Sequence, residues 1–175
     1  MIDNLIDKML SGDRKALARL ISVIEKNSDA IPAVMKAVNP HLGKAYRIGI
    51  TGPPGAGKST LVDGLVRQFR NDGSSVGVLA VDPTSPFRGG AVLGDRVRMG
   101  SHAMDPGVFI RSIATRGAHG GLSRIARAAV RLMDAFGEDV VVMESVGVGQ
   151  TELEIMYAAD TVVVTLVPEA GDAVQ

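Results

Sequence analysis

The chain has no cysteine and no tryptophan, and only 3% of its 175 residues are aromatic. Without cysteine there are no disulfides, no zinc–thiolate sites and no cysteine nucleophile. Neither sign of charge prevails, since 19 Lys and Arg face 19 Asp and Glu. Balanced charge with few rings argues against a nucleic-acid partner, which would need a basic patch and stacking platforms. No apolar run reaches the length that spans a bilayer, so no membrane partner is expected. The start, Met1 to Asp7, has no basic stretch followed by an apolar one, so a cytoplasmic setting is expected rather than secretion. His41, His102 and His119 are scattered without metal-ligand spacing and read as surface or loop residues. What is present is a hydrophobic fraction of 46%, enough for a core, on a length that suits one domain with a small appendage.

The most informative stretch is Gly52-Pro53-Pro54-Gly55-Ala56-Gly57-Lys58-Ser59, followed by Thr60. It fits G-x-x-x-x-G-K-[ST] and stands between a β-prone segment, Tyr46 to Thr51, and a segment with Leu61, Leu65 and Phe69 at helical spacing. Strand, glycine loop and helix is the order that phosphate binding needs. The glycines let successive backbone N–H groups turn inward around phosphates, and the helix N-terminus adds its positive dipole end. Lys58 can reach the β/γ-phosphates and the Ser59 hydroxyl can ligate Mg²⁺. The pattern predicts a nucleoside-triphosphate site.

Residues 1–43 read as an N-terminal helical segment. Ile2, Leu5, Ile6, Met9 and Leu10 follow helical spacing, and Leu17, Leu20, Ile21 and Ile24 repeat it. Asp13 is placed to cap the second helix, and Ile31 to Val38 fits a third. These stripes are expected to pack against the main domain. From residue 44 to 175 strand and helix alternate. Val76 to Val81, Val108 to Ile110, Val140 to Met143 and Thr161 to Val167 read as strands after the first. Leu122 to Phe136 and a short piece around Glu152 to Ala158 read as helices. Continuous apolar strands alternating with helices predict an α/β fold, a mostly parallel sheet with helices on both faces. Ligands of such sheets bind at the carboxyl ends of the strands. Lys58, Asp82 and Glu144, each just past a predicted strand, are therefore expected to converge.

Asp82 and Glu144 are candidate catalytic and Mg²⁺-binding carboxylates, facing the phosphate loop from strand ends. Glu144-Ser145-Val146-Gly147 is a variant of the Asp-x-x-Gly turn, whose glycine N–H can bind a γ-phosphate. Asp95, between Gly94 and Arg96, lies in a long glycine-bearing loop. A loop of this kind can act as a switch, ordered by triphosphate and Mg²⁺. A strand-end carboxylate capping a neighbouring helix is the structural alternative for Asp82 and Glu144, and a solvated charged loop is the alternative for Asp95. Val148 follows Gly147 where many GTPases place the water-orienting glutamine, and Gln150 lies two residues further on. Slow intrinsic hydrolysis is inferred. Arg88, Arg96, Arg98, Arg111 and Arg116 are all available as an active-site arginine.

With these residues in place, the chain resembles the MeaB/ArgK-type P-loop GTPases, the family that includes human MMAA. The resemblance runs through SGDRKALAR, GITGPPGAGKST, VDPTSPFRGGAVLGDRVRM, FIRSIATRGAHGGLSR, VVMESVGVGQTE and LVPEAGDAVQ. It implies a P-loop NTPase fold, with GTP/GDP and Mg²⁺ as ligands. Lys58, Ser59 and Thr60 would bind phosphates and Mg²⁺. Asp82 and Asp95 would belong to the first switch and the Mg²⁺ shell, Glu144 and Gly147 to the second switch. Gly171-Asp172 would open a third segment that contacts the partner. That partner would be methylmalonyl-CoA mutase or a related cobalamin-dependent mutase, with the GTPase gating adenosylcobalamin delivery and protecting the enzyme. The resemblance also implies an N-terminal fragment. Gln175 precedes the Asn-Lys-x-Asp motif that reads guanine and the arm that makes the full-length form a homodimer. Ser145 stands where the family often has threonine. The competing reading is a P-loop kinase acting on a transport protein or a small molecule.

Overall fold

The computed structural model describes residues 2–82, 102, 104–114, 121–145 and 156–168. The chain opens with α1 (Ile2–Leu10), α2 (Arg14–Lys26) and α3 (Ile31–Val38), joined by tight turns. Asp13 caps α2 as its position predicts, its Oδ1 accepting from the Lys15 and Ala16 amides at 2.8 and 3.2 Å. Asn39-Pro40 ends α3 in a short 3₁₀ turn. The predicted stripes are the buried ones: Leu17, Leu20, Ile21 and Ile24 of α2 are fully buried, and Ile6, Met9, Val34 and Val38 join them.

Five strands follow: β1 (Tyr46–Thr51), β2 (Val76–Asp82), β3 (Val108–Ala114), β4 (Val140–Ser145) and β5 (Thr161–Val164). Every pairing is parallel, and the spatial order is β3-β2-β4-β1-β5. Among the described residues, two helices lie between them in sequence, α4 (Lys58–Asn71) and α5 (Gly121–Phe136). Alternate residues of each strand feed opposite faces. Val140 and Val142 of β4 meet Val62 and Val66 of α4, together with Ile48, Ile50, Val76 and Val78. Val141 and Met143 meet Met133 and Ala129 of α5, in a larger cluster that also takes in α1–α3. Both faces are thus covered, and no helix among the described residues is long and apolar enough to cross a membrane.

The sheet order positions the site. From β1 the chain passes through α4 to β2, stepping over the place that β4 later fills. From β4 it moves the other way, past β1 to β5. The carboxyl end of β1 is therefore where connections diverge, the place at which ligands of such sheets bind.

Strand ends differ from the sequence expectation. β3 runs on to Ala114, because Arg111 and Ser112 keep their ladder with β2 as far as Asp82 opposite Ala114. β4 runs through Glu144 and Ser145, with Glu144 opposite Ile50 and Ala80, so Glu144 lies in the strand rather than after it. β5 ends at Val164 instead of Val167. Its Val162 and Val164 are 46% and 58% exposed, as suits a strand that pairs only with β1 among the described residues. Of the short helix around Glu152 to Ala158, only Met156 to Ala158 lie within the described residues.

Candidate nucleotide-binding site

The phosphate loop leaves β1 at Gly52, whose φ of 140° is open to glycine and strained for other residues. A Cβ there would run into the Thr165 carbonyl and hydroxyl, so the close pass against the end of β5 also demands glycine. Gly57 turns left-handed at φ 80° and stands as the N-cap of α4, aiming the first turn of that helix at the loop. The Leu61 amide closes that turn on the Gly57 carbonyl at 2.9 Å.

Lys58 is buried within this turn. Its ammonium donates to the Gly52 and Pro53 carbonyls at 2.7 and 2.8 Å. Burial lowers its pKa from the usual lysine value, and the nearby Glu144 carboxylate opposes that shift. The Ser59 hydroxyl donates to Glu144 Oε1 at 2.5 Å, joining the loop to β4. Thr60, also in the first turn of α4, is exposed. Asp82 closes β2 at the same edge of the sheet; its side chain lies outside the described residues. Asp95, Gly147, Gln150 and Gly171-Asp172 lie outside them as well. The structure thus brings Lys58, Ser59 and Glu144 together, with the backbone of Asp82 one strand away.

Among the described residues no cluster of three His, Asp or Glu gathers to hold a metal. The Ser59–Glu144 pair nevertheless suits Mg²⁺ chemically. Mg²⁺ takes hard oxygen ligands, is content with one or two from protein, and completes its shell with water and substrate phosphates.

Two expectations are corrected. Arg111 is withdrawn from the candidate arginines, because its guanidinium binds Glu25 and Ser22 on α2, away from the loop. His102 lies in a turn, as expected of a loop residue, but is buried and not superficial, with Nε2 3.0 Å from Asp63 Oδ1 on α4. His41 is exposed, in the 3₁₀ turn after α3.

Sequence reasoning also missed a hydroxyl cluster beneath the loop. The Ser145 hydroxyl, fully buried, donates to Thr51 Oγ1 at 3.0 Å. The Thr165 amide and hydroxyl both donate to the Thr51 carbonyl, at 2.8 and 3.1 Å. Three adjacent strands, β4, β1 and β5, are tied together where the loop departs. A hydroxyl residue closing an otherwise apolar strand was the available signal at Thr51 and Ser145.

A parallel sheet whose first strand runs through this glycine loop into a helix, with a carboxylate from the adjacent strand on the loop serine, defines a P-loop NTPase. Within that class the chain belongs to the family described as methylmalonyl Co-A mutase-associated GTPase MeaB, which matches residues 17–175. A protein of Pyrococcus abyssi is 55% identical over 175 residues, all of this chain and 54% of its own length. The GTPase ArgK of Escherichia coli is 37% identical over 174 residues, 97% of this chain and 53% of that protein. A crystal structure of an LAO/AO transport system kinase superposes with a TM-score of 0.73 at 30% identity, over 94% of this chain and 49% of that one. The chain spans about half the length of the relatives it matches.

Proposed function

We propose that this chain is the nucleotide-binding part of a GTPase that binds GTP with Mg²⁺, hydrolyses it, and uses the two nucleotide states to control a partner. Family membership supports the guanine nucleotide. The observation that carries the reading is the meeting of Lys58, Ser59 and Glu144 at the head of β1. Lys58 would move from the loop carbonyls to the β/γ-phosphates, trading two neutral acceptors for charged ones and so adding ion-pair attraction to bonds that the ammonium already makes charge-assisted. Ser59 and Glu144, with Asp82 and Asp95, would hold Mg²⁺. Bound there, the ion would neutralise charge developing on the phosphate oxygens. Loop amides and the α4 N-terminus would hold the phosphates, and Gly147 would offer its N–H to the γ-phosphate.

The family's description as mutase-associated supports methylmalonyl-CoA mutase, or a related cobalamin-dependent mutase, as the partner. Its GTPase would act as a chaperone that gates adenosylcobalamin loading. The remaining readings, a helical segment 1–43 before a GTPase domain 44–175, a cytoplasmic setting and a homodimeric full-length form, accompany this proposal. The deciding experiment is calorimetric titration of the full-length protein with GTP and with ATP, each with Mg²⁺, beside Lys58→Ala. GTP preferred over ATP, with affinity falling about 100-fold in Lys58→Ala, is expected, since a lost charge-assisted hydrogen bond costs about 1.5–3 kcal/mol. Equal affinity in the variant would overturn the site.

The name of the superposed kinase supports a second reading, transfer of the γ-phosphate to an acceptor. Phosphate release into water with no acceptor present separates the two.

A further inference from the structure

Away from the loop, α5 carries a surface of a different kind. Arg124, Arg127 and Arg131 recur at steps of three and four residues, so they form one stripe along about 10 Å of helix. All three are exposed, and among the described residues none has an ion-pair or hydrogen-bond partner. Other arginines are committed: Arg47, Arg67, Arg70 and Arg111 each hold a carboxylate. The stripe borders a groove of about 360 Å³, which Met35 of α3, Arg47 of β1 and Tyr157 also line. Arg47 is occupied there by Asp160 at 3.0 and 2.6 Å, so the free charge of the groove comes from α5. The Tyr157 side chain stands 84% exposed at its edge.

Three features decide what fits. The three arginines are spaced along about 10 Å of one helix, so their charge is laid out as a line and not gathered at one point of the backbone. Their repeat matches that of carboxylates on one face of a second helix, at i, i+3 or i+4, and i+7. Arg, Tyr and Met beside an apolar floor is the composition of protein contact surfaces, where such residues anchor the partner. On a chain with no net charge, this local excess is a specific feature and not a general stickiness for anions. We infer that the α5 groove is a docking surface for an acidic amphipathic helix of a partner protein, with its carboxylates on the arginine stripe and an apolar side chain against Met35 and Tyr157.

The test uses the full-length protein and a fluorescent synthetic helical peptide with glutamates at that spacing and leucines on the adjoining stripe. Fluorescence anisotropy reads its binding to wild type and to Arg124→Glu/Arg127→Glu/Arg131→Glu. The expected result is saturable binding at physiological salt, weakened at least about tenfold by the triple change and by high salt, and absent for the lysine counterpart of the peptide. Nucleotide affinity of the triple variant serves as the check on folding and is expected to be unchanged. Equal peptide binding by the variant would overturn the inference. So would no binding by wild type, the outcome if the rest of the full-length chain covers the groove. Binding to phosphatidylserine vesicles or single-stranded RNA in place of the peptide, lost in the same variant, would overturn it too and assign the stripe to another class of partner.

Discussion

The two ends of the sheet use polar residues in opposite ways. At the amino end, acidic side chains clamp the points where strands begin. Asp134 accepts from the Gly43, Lys44 and Ala45 amides at 2.8, 3.0 and 3.0 Å before β1. Asp139 accepts from the Ser75 amide and hydroxyl at 2.8 and 2.9 Å before β2. Asp105, gripped by Arg70 at 2.9 and 3.0 Å, stands before β3, and Asp160, gripped by Arg47, before β5. At the carboxyl end the contacts are made by carbonyls and a hydroxyl, with Lys58 on two carbonyls and the Ser59 hydroxyl on the Glu144 carboxylate. Carboxylates locked to amides and guanidiniums make a closed frame, strongest at the buried Asp134, whose removal would strand three amide donors, and weaker at the more exposed Asp105, Asp139 and Asp160. Neutral acceptors on a buried ammonium are contacts that a phosphate can outcompete. One end is built to stay and the other to exchange.

The largest effect expected from this contrast is at Asp134, which is buried and holds three amides across about ninety residues of sequence. Asp134→Ala should lower unfolding free energy by about 3–5 kcal/mol, as for a broken buried charged network. Chemical denaturation of the full-length protein measures it, and a loss under about 1 kcal/mol would break the picture of a closed frame.

Glu138, at the same end, departs from the rule. It is 3% exposed and its Oε2 has no hydrogen-bond partner among the described residues. Burial pushes its pKa up to about 7, with Asp139 adding to the rise and Arg14, Ser75 and Arg70 opposing it. A raised pKa means that the folded chain holds this proton more tightly than the unfolded one. The stabilising contribution is therefore complete below about pH 4.5 and is lost as pH rises through about 7. Between pH 5 and 8 that loss amounts to at most about 3 kcal/mol. Glu138→Gln should flatten this part of the stability–pH curve and be the more stable form at pH 8. An unchanged slope in the variant would place the titration elsewhere.

How far the sequence discloses this contrast depends on the range of the contact. The helical stripes, the Asp13 cap and the glycine loop are written in neighbouring residues, and spacing alone reveals them. Lys58, Ser59 and Glu144 were legible for a related reason: motif and strand end both point to the same edge of a parallel sheet. Strand ends at Ala114 and Ser145 were not, because polar residues such as Arg111, Ser112 and Glu144 break the apolar run while the ladder carries on beneath them. The amino-end clamps were invisible too. Nothing local distinguishes Asp134, on a helix that reads as a plain amphipathic one, from a solvated acid. Its role appears only when the turn before β1 folds back onto it.

The smallest of these effects bears most directly on the carboxyl end. Ser59→Ala removes one hydroxyl from a half-buried position and leaves the loop glycines and Lys58 in place. If the Ser59–Glu144 contact were part of the frame, its loss would destabilise the fold, since Glu144 would forfeit a donor. If it is an exchangeable contact that lends its oxygen to Mg²⁺, stability should change by less than about 1 kcal/mol. The Mg²⁺-dependent part of nucleotide affinity should then fall about 10–100-fold, equivalent to about 1.4–2.8 kcal/mol. Titrating nucleotide with and without Mg²⁺, alongside a denaturation curve, separates the two cases. A variant that binds nucleotide equally with and without the ion, at wild-type stability, places the hydroxyl on the metal. One that unfolds early but keeps its Mg²⁺ dependence places Ser59 with the clamps of the amino end and removes the distinction between the two ends.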